Sequence, residues 1–248
     1  MNVEIRELTT VKEFARCIEL QRAAFHLPDL EISPLRHFVV SMNCGGFTLG
    51  AFVEEKLIGF VHHLVALQNN QIIGYSHMTA VAAEFQNAGV GAQLKWAQRQ
   101  KALELGQKFI KWTFDPMQAR NAHFNLNRLG AVIRSYAENY YGTDYVLMPN
   151  QFGEKTGLDS DRLFAEWELD SMRVKKTLKD GQIVVNSDVA GTIEIPTNWR
   201  KLVETNVQKA RAEHRRVRQE FQTAFDQNLV CAGFERSESV SKYLLFKA

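Results

Sequence analysis

The spacing of apolar and polar positions changes period several times along this chain. Residues 3–8 alternate imperfectly and read as a short strand. Thr10 followed by Glu13 forms a capping box, and Val11, Phe14, Ile18 and Phe25 mark a helix to about Ala24, stopped by Leu27-Pro28-Asp29. Ser33-Pro34 opens a second helix, with serine as cap and proline in the first turn. It runs through Leu35, Phe38 and Val39 to Met42, where Cys44-Gly45-Gly46 stops it. The period then drops to two. Residues 47–53, 57–67 and a strand within 71–81 form a meander, with turns at Glu54-Glu55-Lys56 and Asn69-Asn70.

The rest of the chain is organised around residues 75–106. A strand-like run, Tyr75-Ser76-His77-Met78-Thr79-Ala80-Val81, leads into Gln86-Asn87-Ala88-Gly89-Val90-Gly91-Ala92 and a helix from Gly91 to about Leu105. Strand, glycine turn and helix together present bare backbone N–H groups. The first N–H groups of a helix lack intrahelical partners, and the helix dipole places partial positive charge there. Gly89 and Gly91 remove side chains that would keep an anion from the backbone. The spacing lacks the third glycine of a dinucleotide fingerprint and the Gly-Lys-Ser/Thr of a P-loop.

A strand at 109–114 follows, and a strand–helix–strand connection of this length favours a parallel crossover. Asp115-Pro116 breaks that strand. A short helix over 120–128 closes with Leu129-Gly130, and another strand lies at 163–169. Beyond residue 170 the chain is polar over 175–188, with Asp180-Gly181 as a hairpin turn. A strand at 192–196 precedes a single long helix over 198–227, whose apolar stripe is Val203, Val207, Ala210, His214, Val217, Phe221 and Ala224. Two closing strands lie at 229–234 and 243–246.

Gln86-x-x-Gly89-x-Gly91-Ala92 after a strand resembles the acyl-CoA pyrophosphate loop of the GNAT superfamily of N-acyltransferases. The helix ending Asn125-Leu126-Asn127-Arg128-Leu129-Gly130 resembles the superfamily's second motif. Residues 109–142, with Asp115-Pro116, Arg120-Asn121 and Asn139-Tyr140-Tyr141-Gly142, look like a bacterial branch of it. The resemblance implies an α+β fold with a mixed, mostly antiparallel sheet flanked by helices. It implies a GNAT domain over 1–170 and a strand-helix-strand-strand extension over 171–248, which reads as a degenerate half-repeat, an added layer or a dimerisation arm. The implied reaction is transfer of an acyl group from coenzyme A to an amine. Acetyl-CoA is the simplest donor, with succinyl-CoA and a non-catalytic acyl-CoA sensor or scaffold as the other readings.

Composition narrows this picture in three ways. The chain has 248 residues, so it can bury a large core, and its net charge of +2 argues against a nucleic-acid partner. Cys17, Cys44 and Cys231 are isolated and odd in number, so neither a disulfide framework nor a structural metal is expected. Glu4, Arg6 and Glu7 interrupt any leader-like start and no apolar run spans a bilayer, so a cytoplasmic protein away from the membrane is expected.

The resemblance distributes the chemistry. Backbone N–H groups of Gln86, Asn87, Ala88, Gly89, Val90, Gly91 and Ala92 are expected to hold the pyrophosphate. The strand Met78, Thr79, Ala80 and Val81 pairs with the pantetheine amides, as a strand adds to a sheet edge. His77, on the same strand, is either the base for the amine or a hydrogen-bonded sheet histidine. Glu84 is a second candidate base acting through water, or a surface carboxylate. His62 and His63 face opposite sides of their strand. The position at which many GNAT enzymes carry a thiolate-protonating tyrosine is Leu126. Asn125 or Asn121 then bonds the pantetheine or thiol, or Tyr136, Tyr140 or Tyr141 approaches instead. Arg120, Arg128 and Arg134 cluster near the second motif. They suit the carboxylate of a small amine substrate such as an amino acid, or solvated surface. Lys209, Arg211, Arg215, Arg216 and Arg218 are interleaved with glutamates and read as a solvated helix face.

Overall fold

A computed structural model describes residues 1–25, 29–144, 156–183 and 188–248. The chain divides into two compact units, Met1–Trp112 and Thr113–Ala248. The first contains β1 (Glu4–Glu7), α1 (Val11–Phe25), α2 (Leu35–Asn43), β2 (Phe47–Val53), β3 (Lys56–Gln68), β4 (Gln71–Val81) and α3 (Val90–Glu104), and ends within β5 (Phe109–Phe114). Neighbouring strands from β1 to β4 pair antiparallel. β5 joins β4 in parallel, as the crossover through α3 predicts. The Asn69-Asn70 turn has positive φ at both residues, 50° and 60°, the twist that a two-residue hairpin requires.

Alternation on these strands feeds two cores. On one face Leu8, Phe14, Cys17, Leu20, Phe38, Phe52, Phe60 and Ala80 bury α1 and α2 against the sheet. On the other, Phe47, Leu49, Ala51, Ile58 and Val61 receive Val90 and Leu94 of α3. The capping box forms: Glu13 accepts from the N–H groups of Thr9 and Thr10, and the Thr10 hydroxyl accepts from the Glu13 N–H. Leu27 and Pro28, expected to end α1, lie outside the described residues. Ser33 does not cap α2. Pro34 occupies the cap with φ −74° and ψ 162° and no side-chain bond, while the Ser33 hydroxyl is bonded to His77.

The second unit contains α4 (Ala119–His123), a π turn (Phe124–Arg128), β6 (Val132–Ala137), β7 (Arg162–Glu168), α5 (Met172–Asp180), β8 (Gly191–Pro196), α6 (Trp199–Thr205), α7 (Val207–Asp226), β9 (Leu229–Glu235) and β10 (Val240–Lys247). Its strands pair antiparallel in the order β7-β6-β9-β10-β8.

Three sequence expectations change here. Asp180-Gly181 ends a helix rather than turning a hairpin. Ser171 caps α5 by accepting from the Val174 N–H, and Gly181, at φ 78°, closes it. Part of the polar run, residues 184–187, lies outside the described residues. The single long helix is two, broken at Asn206 (φ −153°, ψ 79°), whose side chain caps α7 by accepting from the Lys209 N–H. Asparagine bonds its own backbone in preference to continuing a helix, and the apolar period alone does not reveal that break. The basic run of α7 is not uniformly solvated, because the Arg218 side chain is only 12% exposed and meets Glu138, Asp159 and Asp161.

Candidate functional site

The first unit assembles the residues expected at a donor loop and a base. β4 pairs with β5 at Gly74 opposite Ile110 and Tyr75 opposite Lys111. Beyond that point, among the described residues, residues 76–81 have ladder partners on the β3 side alone. One backbone edge of Met78, Thr79, Ala80 and Val81 is therefore open to an added strand-like partner.

The register against β3 shifts within this stretch. His62 faces Met78 and His63 faces Ser76, so His77 is the extra residue of a β-bulge. Bulges re-aim side chains, and this one turns His77 toward α2. There the Ser33 hydroxyl lies 3.1 Å from His77 Nε2, and the His37 ring centroid lies 4.9 Å from that of His77. His62 sits behind them, 5.1 Å from His37, held by Thr48 Oγ1 at Nδ1 (2.8 Å) and Ser41 Oγ at Nε2 (3.1 Å). Among the described residues, no group of three or more His, Cys, Asp or Glu side chains is placed to hold a metal ion.

His63 points to the α3 face, as alternation requires, where Gln107 and Gln98 bond its two ring nitrogens. Burial lowers the pKa of His62 to about 3, with His37 and His77 adding to it. Burial also lowers His63 to about 4 against an opposing bond from Gln107. Crowding by protein atoms likewise lowers His77, with His37 contributing. His77 is nevertheless solvent-exposed, which limits how far desolvation carries its shift.

These groups are neutral near pH 7, because their surroundings disfavour the protonated form. Their linkage to stability has a definite sign. A histidine whose folded pKa is depressed stabilises the fold above its unfolded pKa of about 6.5, and loses that contribution as pH falls through the folded value. Stability is therefore expected to decline from about pH 6.5 toward pH 4 and below. Urea midpoints measured across that range test this, and His63→Gln should flatten the decline; an unchanged slope contradicts the assignment.

The loop that follows β4 matches the requirements of an anion cradle. Gln86 Nε2 donates to the Val81 carbonyl at 3.1 Å and ties the loop to the strand. Asn87 and Gly89 both have positive φ, 64° and 82°. The space about Gly89 is open, with nothing within 4 Å of where a Cβ would lie, so conformation rather than crowding requires glycine there. Gly89 caps α3, whose first backbone bond runs from the Gln93 N–H to the Gly89 carbonyl. The N–H groups of Val90, Gly91 and Ala92 thus head the helix without intrahelical acceptors. Asn87, Ala88 and Gly89 are exposed to solvent.

The remaining candidates are placed separately. Glu84 is exposed and paired with Lys56 at 3.0 Å. In the second unit Asn125 and Leu126 are buried in the π turn, while Asn121 and Arg120 are exposed. Arg134 is paired with Glu166 at 2.8 Å. The Tyr136 hydroxyl donates to Asp161 at 2.5 Å, and burial followed by that bond raises its pKa, which suits it poorly to giving up a proton.

The sequence pattern casts Ser33 as a helix cap and gives His37 and Lys95 no role. A signal for Lys95 and Gln98 was present: they fall within the α3 stripe of Val90, Leu94 and Ala102, which faces the sheet.

No protein-family model matches this chain, and no curated protein matches its sequence. Solved structures do match. The ribosomal-protein-S18-alanine N-acetyltransferase of Escherichia coli is 15% identical, with a TM-score of 0.53 over 68% of this chain and 96% of that one. An N-acetyltransferase of Staphylococcus aureus is 12% identical, with a TM-score of 0.52 over 68% and 100%. A GNAT-family acetyltransferase of Elizabethkingia anophelis, solved with acetyl-CoA bound, is 19% identical, with a TM-score of 0.50 over 67% and 98%. Over about two thirds of its length, this chain has the fold of the GNAT acetyltransferases.

Proposed function

We propose that the protein transfers an acyl group, most simply acetyl, from an acyl-CoA to the amine of a small molecule. The observation that carries this reading is the open edge of β4 running directly into the N–H groups at the head of α3, with His77 on the bulge beside it. The N–H groups of residues 86–92 take the pyrophosphate, and the backbone of residues 78–81 takes the pantetheine amides. His77 accepts the proton that the acceptor ammonium must lose before its nitrogen attacks the thioester carbonyl. Attack forms the C–N bond, the attacking nitrogen gives its second proton to solvent, and collapse of the tetrahedral adduct breaks C–S and releases the thiolate and the amide. With Leu126 at the position of the family's tyrosine, the thiolate leaves without that acid. Coenzyme A thiolate is a tolerable leaving group, so positioning supplies most of the rate.

A carboxylate-bearing acyl group such as succinyl has less support than acetyl, because Arg134 already holds Glu166. A non-catalytic acyl-CoA sensor draws its support from the missing tyrosine alone.

Thermal denaturation with coenzyme A, acetyl-CoA and succinyl-CoA tests the donor site. A ligand at about 100 times its Kd that binds the native state alone adds roughly 2.7 kcal/mol, a readily measured rise in Tm. We expect a rise with acetyl-CoA. No rise with any of the three removes the donor reading.

A further inference from the structure

A buried lysine lies at the fork where β4 leaves β5. Lys95 of α3 is 2% exposed. Its ammonium donates to Ser76 Oγ at 2.9 Å and to Gln98 Oε1 at 2.7 Å, and lies 3.9 Å from the Trp112 ring centroid. Ser76 and Trp112 directly follow Tyr75 and Lys111, the last pair that joins the two strands. One ammonium therefore touches both strands at the step where their ladder ends, and Ser76 immediately precedes the His77 bulge.

The support continues away from the fork. Ser76 Oγ donates to Gln98 Oε1 at 3.2 Å, Gln98 Nε2 lies 3.1 Å from His63 Nδ1, and His63 Nε2 lies 2.8 Å from Gln107 Oε1. This order makes His63 the neutral tautomer with its proton on Nε2. Gly74 is required for the passage, since a Cβ there would stand 2.2 Å from His63 Cε1. Burial pushes the Lys95 pKa well below its ordinary value, so the folded state holds this charge at a cost. A hydrophobic side chain of similar length would fill the same place without that cost.

We propose that Lys95 is a positioning residue for the donor: it clamps Ser76 and Trp112 to α3 and so fixes the open edge of β4 in the geometry that receives the acyl-CoA. This rests on the donor reading given above. A rigid edge binds an extended partner without first paying to order itself, so losing the clamp weakens binding more than chemistry.

Lys95→Met in the full chain separates this role from a purely structural one. The Ser76–Gln98 bond survives in the variant, and removal of a buried charge leaves Tm equal or higher. The β4 amides of residues 78–81 should exchange with deuterium faster than in the parent, while β2 amides do not change. Kd for acetyl-CoA should weaken about tenfold, the size of one charge-assisted hydrogen bond, with kcat little altered. Unchanged exchange in β4, or unchanged Kd, overturns the proposal. A fall in Tm accompanied by uniform loss of kcat and affinity also overturns it, since that marks general packing. If Lys95→Met does not fold, Ser76→Ala removes the Ser76 arm of the clamp, together with the Ser76–Gln98 bond, while leaving the ammonium on Gln98 and Trp112, and the same readouts decide. Exchange is measured without ligand. A wild-type protein that binds no acyl-CoA therefore sinks the donor reading, while the exchange data still judge the clamp.

Discussion

Replacing His77 with alanine should lower kcat by about 10²–10⁴-fold, the range a positioned proton acceptor supplies, while leaving acetyl-CoA binding intact. The separation follows from geometry. His77 is the bulged residue of β4, its ring is turned toward Ser33 and His37, and its main chain keeps the strand's course. An exposed side chain at this position costs little fold stability when truncated. The pH dependence carries the sharper signature. The proposed base is the neutral ring, and crowding with the help of His37 lowers its pKa below the ordinary histidine value. In the parent protein kcat/KM should therefore rise with pH through an acid limb below about 6.5 and then level off as far as His77 is concerned. His77→Ala should lose that limb. Ionisation of the acceptor amine is common to both proteins when the same acceptor is used, so the difference between the two profiles isolates the imidazole. An unchanged rate and profile would remove His77 as base and leave the proton to another acceptor.

Much of this unit was legible in the sequence because its elements follow local rules. The capping box at Thr10 and Glu13 and the paired asparagines at 69 and 70 each have a backbone reason that one or two residues express. The loop proposed to take the donor was legible as an element for the same cause: strand, glycine turn and helix are contiguous in the chain. What the sequence concealed depends on contacts distant in sequence. Ser33 looks like an N-cap by its neighbours, and only its approach to His77, 44 residues away, reassigns its hydroxyl. Lys95 looks like a solvated helix residue until its stripe is set against β4 and β5. In the second unit, Asp180-Gly181 is compatible with either a hairpin or a helix end. Ser171, nine residues before Asp180, decides the matter by capping a helix between them. The break at Asn206 was hidden because Val203 and Ala210 stay on a common apolar face across it, and both are buried.

The largest change in stability is expected from Arg218→Met in the second unit. Arg218 Nε and Nη2 donate to the Asp161 carboxylate at 2.7 and 2.8 Å, Nη2 also reaches Asp159 at 2.7 Å, and Nη1 reaches Glu138 at 2.5 Å. Asp161 is 1% exposed and accepts in addition from the Tyr136 hydroxyl and the Asn139 N–H. Burial opposes the Arg218 charge, but the bonds from Asp161 and Asp159 outweigh it and raise its pKa. Methionine keeps much of the volume and leaves the Asp161 carboxylate enclosed without its cation. Removing one partner of a buried pair costs about 3–5 kcal/mol, several times the value of an exposed ion pair. Urea denaturation of the purified variant should show that loss as a lower midpoint at constant m. The cost belongs to the abandoned carboxylate more than to the lost attraction. Adding Asp161→Asn to Arg218→Met should therefore recover part of it, with a coupling energy in the range of about 0.5–3 kcal/mol expected for contacting groups. A single-variant cost below about 1 kcal/mol would place the cluster with solvated surface pairs. A strictly additive double variant would show that the two side chains act independently despite their contact.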